Sequence, residues 1–470
     1  MIVEQIYTGC LSQGAYYIES RGEVAIIDPL REVSPYLERA KANGANIKYI
    51  FETHFHADFV SGHVTLAEKT GAPIVFGPNA NPLFDAHIAT DGELLPLGDL
   101  TIKVLHTPGH TMESTTYLLL DETGKEIAIF TGDTLFLGDV GRPDLAQKSD
   151  DLTVEDLAGF LYDSLRSKIM PLPDSVTVYP AHGAGSACGK NMMKETVDTL
   201  GNQKKMNYAL RSDMTKAEFI KELTDGLLPP PPYFPLNVQL NREGYKSIEE
   251  VLESGSIELS PVEFSLIAKD SGALILDVRK PEEFASGHIP GSIFVGLDGS
   301  FAPWVGELIV DVQQEILLVA PEGREKEAVT RLARVGFDRT LGYLSGSIEA
   351  WTKADMPIET IESITAATLV KDHSKTNNTI FDVRKVSEHS SHNVHDSVNI
   401  PLSALNENMS RFPIDGSFYV HCAGGYRSMI ACSILKARGI KKSVNVKGGF
   451  KAIATTDIPM SEFVCPSTMG

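Results

Sequence analysis

Six side chains with metal-binding chemistry are gathered into four short motifs in the first part of the chain. His54, His56 and Asp58 alternate through Thr53-His54-Phe55-His56-Ala57-Asp58-Phe59. His110 closes Thr107-Pro108-Gly109-His110, Asp133 stands in Thr131-Gly132-Asp133-Thr134, and His182 follows Tyr179-Pro180-Ala181. Four imidazoles with two carboxylates form a nitrogen-rich donor set. It suits zinc or iron and is too nitrogen-rich for calcium or magnesium. A second constellation lies far downstream, where the apolar run Phe418-Tyr419-Val420-His421 leads into Cys422-Ala423-Gly424-Gly425-Tyr426-Arg427-Ser428. The glycines let the backbone curl so that several N–H groups point inward. The start of the following helix, over 429–437, adds positive potential, and Arg427 adds a full charge. A cysteine in that cradle is a good nucleophile. Cys422 and Arg427 are therefore the expected catalytic pair, with Gly424, Gly425, Tyr426 and Ser428 around the substrate.

The surrounding pattern explains how such groups would be positioned. Runs at 24–28, 49–52, 74–76, 102–105, 127–130 and 176–179 predict strands, and 33–43, 60–69, 154–169 and 190–200 predict helices. His54, His110, Asp133 and His182 each come within a few residues of a predicted strand end, where a rigid scaffold presents reactive groups. Leu228-Pro229-Pro230-Pro231-Pro232-Tyr233-Phe234-Pro235 predicts a stiff polyproline spacer. Tyr233 and Phe234 prefer burial, so the same segment is placed to brace the first domain.

The remainder is an internal repeat of about 105 residues, in which Ile275-Leu276-Asp277-Val278-Arg279-Lys280 returns as Ile380-Phe381-Asp382-Val383-Arg384-Lys385. Strands alternate with helices in both copies, as in a small parallel α/β domain. The first copy has Leu317-Leu318-Val319-Ala320-Pro321-Glu322-Gly323-Arg324-Glu325 where the cysteine loop should stand. It has no nucleophile, and Glu322 would repel an anion. That copy is expected to be inert, a spacer or docking module.

Composition bounds the rest. The 470 residues correspond to about three domains. A net charge of −20 argues against a general nucleic-acid or membrane-surface binder. No run approaches the roughly 20 apolar residues of a membrane span, and the N-terminus does not read as a signal peptide. Five widely spaced cysteines (Cys10, Cys188, Cys422, Cys432 and Cys465) suit a reducing cytoplasm better than a disulfide framework.

On the run Thr53 to Phe59, the Thr107-Pro108-Gly109-His110 motif and Phe130-Thr131-Gly132-Asp133-Thr134, residues 1–225 resemble the metallo-β-lactamase superfamily. Within it they look most like persulfide dioxygenases. The resemblance implies an αββα sandwich with one Fe(II) per chain on His54, His110 and Asp133. Such a two-histidine, one-carboxylate triad leaves open positions for O₂ and a thiol. His56, Asp58 and His182 match positions that hold a second metal in two-zinc relatives. Phe59 replaces the last ligand of that set, so these three are expected to orient ligands or move protons. The resemblance also places Arg142 near the carboxylate of a thiol carrier, where its fork could pair bidentately. Cys188, six residues after His182, is either a small buried side chain or a sulfur relay. His63 and His87 have no motif behind them and read as structural, and Cys432 reads as core.

The cysteine loop and the repeat resemble rhodanese sulfurtransferases, in which the cysteine carries a persulfide; Asp382 and Arg384 match a mainly structural motif. The expected organisation is an α/β multidomain chain: an αββα dioxygenase domain over 1–227, a Pro-rich linker over 228–256, an inactive rhodanese-like domain over 257–362 and an active one over 363–470. The implied activity is iron-dependent oxidation of a low-molecular-weight thiol persulfide to sulfite. It is coupled through Cys422 to sulfane-sulfur transfer to or from thiosulfate. The expected partners are that persulfide, O₂, sulfite and thiosulfate, in a cytoplasmic homo-oligomer with neither nucleic acid nor membrane. A glyoxalase II-like thioester hydrolase and a sulfur-sensing scaffold are the alternatives.

Overall fold

The computed structural model describes residues 1–145, 152–376 and 378–464. It divides into two compact units, 1–250 with 333–336, and 251–332 with 337–470.

The first unit is built on two six-stranded sheets. One runs Ile2–Thr8, Gln13–Ser20, Glu23–Ile27, Asn46–Phe51, Ile74–Phe76, His87–Ile88 in spatial order. The other runs Asp198–Thr199, Thr177–Pro180, Glu126–Gly132, Thr115–Leu120, Leu100–His106, Leu94–Leu97. Successive strand residues point to opposite faces, and both faces of each sheet are covered. Tyr16, Ile18, Ile27 and Phe51 of the first sheet meet Ile102, Val104, Tyr117 and Phe130 of the second in one core. The alternate residues Ala15, Tyr17, Val24 and Ile26 pack outward with Tyr36 and Leu66, which lie on the helices Ser34–Ala42 and His63–Thr70. Leu105, Leu118, Ile129 and Val178 pack outward with Ala158, Leu161, Phe219 and Leu223, from Val154–Ser164 and Lys216–Thr224. The layers are therefore helix, sheet, sheet, helix, as the fold reading expects. Each buried aliphatic or aromatic side chain contributes about 1.5–3 kcal/mol to this arrangement.

The second unit contains two parallel five-stranded sheets with the same topology. The first is ordered Glu258–Leu259, Thr340–Leu344, Ile316–Val319, Leu274–Asp277, Ile293–Phe294. The second is ordered Ser363–Ile364, Ser443–Val446, Phe418–His421, Ile380–Asp382, Val398–Asn399. The sequence repeat is thus a repeat of structure. The Asp-x-Arg motif has the same job in both copies: Arg279 pairs with Asp277 and Arg384 with Asp382, each at 2.6 Å and buried. Each arginine also holds the carbonyl of a residue eight positions on, Gly287 or His392, at 2.8 Å.

Several local expectations need correction. No helix forms over 190–200. Lys190 and Asn191 donate their backbone N–H groups to the Asp139 carboxylate at 2.6 Å, and Met193 N–H reaches Leu137 O at 2.8 Å. Those backbone groups are satisfied by tertiary partners, and regular structure resumes only at Asp198–Thr199 and Leu200–Met206. The helix expected from residue 60 starts at His63. Strands Ile2–Thr8, Gln13–Ser20 and Thr115–Leu120 were not anticipated. The segment 228–256, expected as a Pro-rich linker, contains the helices Phe234–Glu243 and Ile248–Gly255. Pro235 lies in the first turn of the former, where its missing N–H costs nothing. Tyr233 and Phe234 are buried.

Candidate metal centre and sulfur loop

Strands Asn46–Phe51, Leu100–His106, Glu126–Gly132 and Thr177–Pro180 deliver His54, His110, Asp133 and His182 from their ends. Ligand atoms of His54, His110 and Asp133 all lie within 4.8 Å of one another. Asp133 Oδ2 is 3.5 Å from His110 Nε2 and 4.0 Å from His54 Nε2. Each imidazole is oriented from behind. His110 Nδ1 donates to the Arg142 backbone carbonyl at 2.8 Å. His54 Nδ1 donates to Thr53 Oγ1 at 2.9 Å, and that hydroxyl donates to Asp28 Oδ2, also at 2.9 Å. The protons therefore sit on Nδ1, and both Nε2 lone pairs face the carboxylate.

Asp133 Oδ2 is buried and has no hydrogen-bond partner. An orphaned carboxylate oxygen opposite two imidazole lone pairs is costly unless a cation lies between them, so the residues fit a metal ion. Burial, with the neighbouring His56, holds His54 well below its ordinary pKa, in the neutral form that a ligand needs. Burial alone would raise Asp133, but the charge of His182 beside it outweighs this and keeps the carboxylate ionised.

The other three expected histidine and carboxylate positions separate into two groups. His182 bridges two acids, with Nδ1 2.8 Å from Asp133 Oδ1 and Nε2 2.8 Å from Asp58 Oδ2. Burial opposes its protonation, yet the two carboxylates raise its pKa well above the ordinary value. Cys188 completes a second donor group with Asp58 and His182. Burial, followed by the Asp58 and Asp133 charges, pushes the Cys188 thiol up, so it is a buried, protonated side chain. His56 turns away from the centre. Its Nε2 lies 3.1 Å from Asp28 Oδ1 and 3.5 Å from Glu52 Oε2. The Phe59 ring lies tilted at 33° against His56, with centroids 4.4 Å apart, and its centroid is 6.5 Å from that of His182. An apolar ring thus stands beside the residues that would otherwise share a second metal.

Asp28, Glu52 and Asn241 were not anticipated. Burial and the Asp28 charge push the Glu52 carboxyl up, and its Oε1 accepts from Ser61 Oγ at 2.5 Å. Asn241 Nδ2 donates to the backbone carbonyls of His56 and Phe59, both at 2.8 Å. No signal in the sequence marks Asn241, which comes from the segment read as linker. His63 is structural as read, bonded to Asn241 O at 3.1 Å. His87 pairs with Glu93 at the surface. Arg142 is buried, and its fork is closed bidentately by Asp144 with two 2.6 Å hydrogen bonds. To receive a carrier carboxylate it would have to exchange that partner.

In the second unit Cys422 follows Phe418–His421, and the helix Tyr426–Ala437 opens after Gly425. Gly425 has φ of 108°, a conformation that needs glycine, and its N–H points at Cys422 Sγ from 3.1 Å. The thiol is buried in its loop. Phe450 N–H and Lys451 N–H bind the carbonyls of Cys422 and Ala423 at 2.6 and 3.1 Å. Arg427 is held by Glu388 through two hydrogen bonds of 2.7 and 2.9 Å. Ser428 Oγ donates to Asn445 Oδ1 at 2.7 Å, and Tyr426 Oη donates to Gly296 O at 2.7 Å. Both side chains therefore hold the loop in place. The contact to the sulfur itself comes from a backbone amide, that of Gly425. In the first copy Ala320 follows the strand Ile316–Val319 at the cysteine's place, and Arg324 is engaged by Asp298 and Glu327. Among the described residues, Cys10, Cys188, Cys422 and Cys432 are all free thiols. Burial pushes the Cys432 thiol up to about 12, consistent with a core position; Cys465 lies outside the described residues. No helix among the described residues is long and apolar enough to cross a membrane.

A family model of the metallo-β-lactamase superfamily matches residues 8–182, and one of the rhodanese-like domain matches twice, over 260–354 and 365–456. A probable metallo-hydrolase of Burkholderia pseudomallei is 30% identical over 258 residues, which cover 47% of this chain and 84% of that protein. The human mitochondrial persulfide dioxygenase ETHE1 is 30% identical over 225 residues, covering 47% and 79% respectively. A cytoplasmic hydroxyacylglutathione hydrolase of Arabidopsis thaliana is 31% identical over 178 residues, covering 37% and 65%. Among solved structures, a metallo-β-lactamase from Staphylococcus aureus superposes with a TM-score of 0.65 at 31% identity, over 73% of this chain and 98% of that one.

Proposed function

The chain belongs to the metallo-β-lactamase superfamily and carries two rhodanese-like domains behind that fold, and from this premise we propose that it is an iron-dependent persulfide dioxygenase with a sulfurtransferase site. The overall reaction is R–S–SH + O₂ + H₂O → R–SH + H₂SO₃. The observation that carries the reading is the Asp133 Oδ2 atom, without a hydrogen-bond partner and facing His110 Nε2 and His54 Nε2, with the Phe59 ring lying against His56. The similarity to ETHE1 supports the same reading.

Iron(II) held by His54, His110 and Asp133 would supply a redox centre with open positions for a thiol and for oxygen. The protein's own contribution is orientation and proton handling. Thr53 and the Arg142 carbonyl fix the two imidazoles. His182, between Asp58 and Asp133, can hold or release a proton at Nε2 beside the centre. Phe59 and Phe136 place apolar rings against His56 and His182 and limit water there.

At the second site the Cys422 thiolate attacks the outer sulfur of thiosulfate. A Cys–S–S bond forms, the sulfur–sulfur bond of thiosulfate breaks, and sulfite leaves with the electron pair. The reverse transfer, from a Cys422 persulfide to sulfite, makes thiosulfate. Fusing the two sites raises the local concentration of their shared intermediates.

A second reading, a two-metal thioester hydrolase, is favoured by the Asp58, His182 and Cys188 donor group and by the hydroxyacylglutathione hydrolase relatives. Metal analysis combined with O₂ uptake on glutathione persulfide separates the two. One iron per chain with stoichiometric O₂ consumption is expected. Two zinc ions with thioester cleavage and no O₂ uptake would replace the dioxygenase with the hydrolase. Cys422→Ser should abolish thiosulfate turnover and leave sulfite production; loss of both would contradict two independent sites.

A further inference from the structure

The cysteine-free copy keeps its fold without its nucleophile, and one of its loops is shaped around a side chain of the active copy. Leu297 N–H bonds Val278 O at 3.0 Å, and Leu402 N–H bonds Val383 O at 3.2 Å. Leu297 and Leu402 are therefore equivalent, which sets Gly296 against Pro401 and Gly299 against Ala404. A Cβ built on Gly299 would lie 2.5 Å from Tyr426 Cζ and 2.8 Å from both Cε atoms of that ring. The ring leaves no room for the alanine that the other copy carries. Tyr426 Oη donates to Gly296 O at 2.7 Å, and the Phe294 ring meets the Tyr426 ring edge-on, with centroids 6.0 Å apart.

Tyr426 and Ser433 are seven residues apart on one helix, hence on one face. Ser433 Oγ accepts from Phe294 N–H at 2.9 Å, so this face meets the first copy at both residues. The receiving loop is itself pinned. Arg331 Nη1 binds Leu297 O at 2.5 Å, and Arg324 Nη1 binds Asp298 Oδ1 at 2.7 Å. Val278 N–H bonds Val319 O and Val383 N–H bonds His421 O, both at 2.9 Å. Counting on from those residues, Arg324 occupies in the first copy the place of Tyr426 in the second. The degenerate loop thus supplies one of the anchors that hold the Tyr426 receptor.

We infer that the cysteine-free copy is a positioning element of the sulfurtransferase site: its Gly296–Gly299 loop grips Tyr426 and so sets the cradle at Cys422. Tyr426 stands between Gly425, whose N–H points at Cys422 Sγ, and Arg427. A shift of its ring moves both. Tyr426 is a positioning residue, acting through its two neighbours. The inference rests on the proposal that Cys422 transfers sulfur, and the test separates the two.

The full chain is compared with Gly299→Ala, Tyr426→Phe and Ser433→Ala. Three quantities are read: kcat and KM for thiosulfate, the rate of Cys422 alkylation by iodoacetamide at pH 7, and Tm. Gly299→Ala and Tyr426→Phe should each lower kcat about tenfold or more, since a ~1 Å displacement at a reacting group can cost up to about a hundredfold. KM should stay within about twofold, and alkylation should slow in parallel. Ser433→Ala cuts the same contact farther from the loop and should lower Tm only. If Gly299→Ala and Tyr426→Phe also change Tm alone, the first copy is a stability partner and the inference is overturned. Should Gly299→Ala fail to fold, Tyr426→Phe decides by itself, and an unchanged kcat and alkylation rate overturns it. Absence of sulfur transfer in the wild type would remove the functional proposal, while the alkylation rates still decide the positioning.

Discussion

Asn241 donates a 2.8 Å hydrogen bond from its side-chain amide to the backbone carbonyl of Phe59. The same amide reaches His56 O, and its Oδ1 accepts from Ser61 N–H at 2.8 Å. One buried side chain thus satisfies three backbone groups of the loop that follows His54. Asn241→Leu leaves all three unpaired in a buried loop. The loss should be about 3 kcal/mol, allowing for partial relaxation, and Tm should fall by roughly 5–10 °C. Metal affinity should weaken about tenfold, because the loop carrying the first ligand loosens. Thermal unfolding and a metal titration check both numbers; an unchanged metal affinity would confine Asn241 to stability.

Asp133 is the proposed ligand whose removal is cleanest. Asp133→Asn keeps shape and volume but replaces the orphaned Oδ2 with a neutral group, and it takes one counter-charge from His182. Bound metal in the purified protein should drop below about a tenth of the wild-type content, given the usual weight of a carboxylate ligand. Circular dichroism should be unchanged, since the core between the sheets is untouched. Full metal occupancy in Asp133→Asn would move the centre elsewhere.

On the proposed reading, Phe59 limits the centre to one metal. Its ring lies against His56 and near His182, beside Asp58. Phe59→His restores the last member of the alternating motif, so zinc stoichiometry after reconstitution should rise from one towards two per chain. The metal-free protein should lose about 2 kcal/mol, because an imidazole is buried where a phenyl ring packed. A count that stays at one would mean that the turned-away His56, not Phe59, sets the limit.

These residues also show how far the sequence reached. His54, His110 and Asp133 were legible because each follows a strand within four residues in a motif of fixed spacing. The strand Phe418–His421 of the second copy was legible as a continuous apolar run. Gln13–Ser20 was not, because Gln13, Glu19 and Ser20 interrupt its apolar pattern, although it is covered on both faces. The helix expected over 190–200 failed because Asp139, far away in sequence, captures the backbone N–H groups. Asn241 and Glu388 are ordinary polar residues on helices. Their roles arise only from partners 182 and 39 positions away, a distance over which local pattern carries no signal. Tyr426 was placed at the substrate because it sits in the cysteine loop; its ring instead answers to a glycine in the other copy.

Glu388 gives the sulfur loop a pH dependence whose sign follows from its partners. Burial would raise this carboxyl, but the two hydrogen bonds from Arg427, with help from Lys385 N–H, outweigh it, so its pKa is lowered on folding. A group depressed in the folded state stabilises it fully above the unfolded glutamate value of about 4.3 and loses that contribution as pH falls through the folded value. Glu388→Gln should therefore lower the Tm of the full chain near pH 7, with the deficit shrinking as the pH is taken below about 4. At neutral pH the substitution also removes a negative charge beside Arg427. KM for thiosulfate, a dianion, should fall about threefold at low ionic strength, and the advantage should fade in high salt. Kinetics at two salt concentrations and unfolding across pH 3–7 test these two consequences separately. A Tm deficit independent of pH would mean that Glu388 acts only as the cap of its helix, and a salt-independent KM would mean that Arg427 does not face the anion.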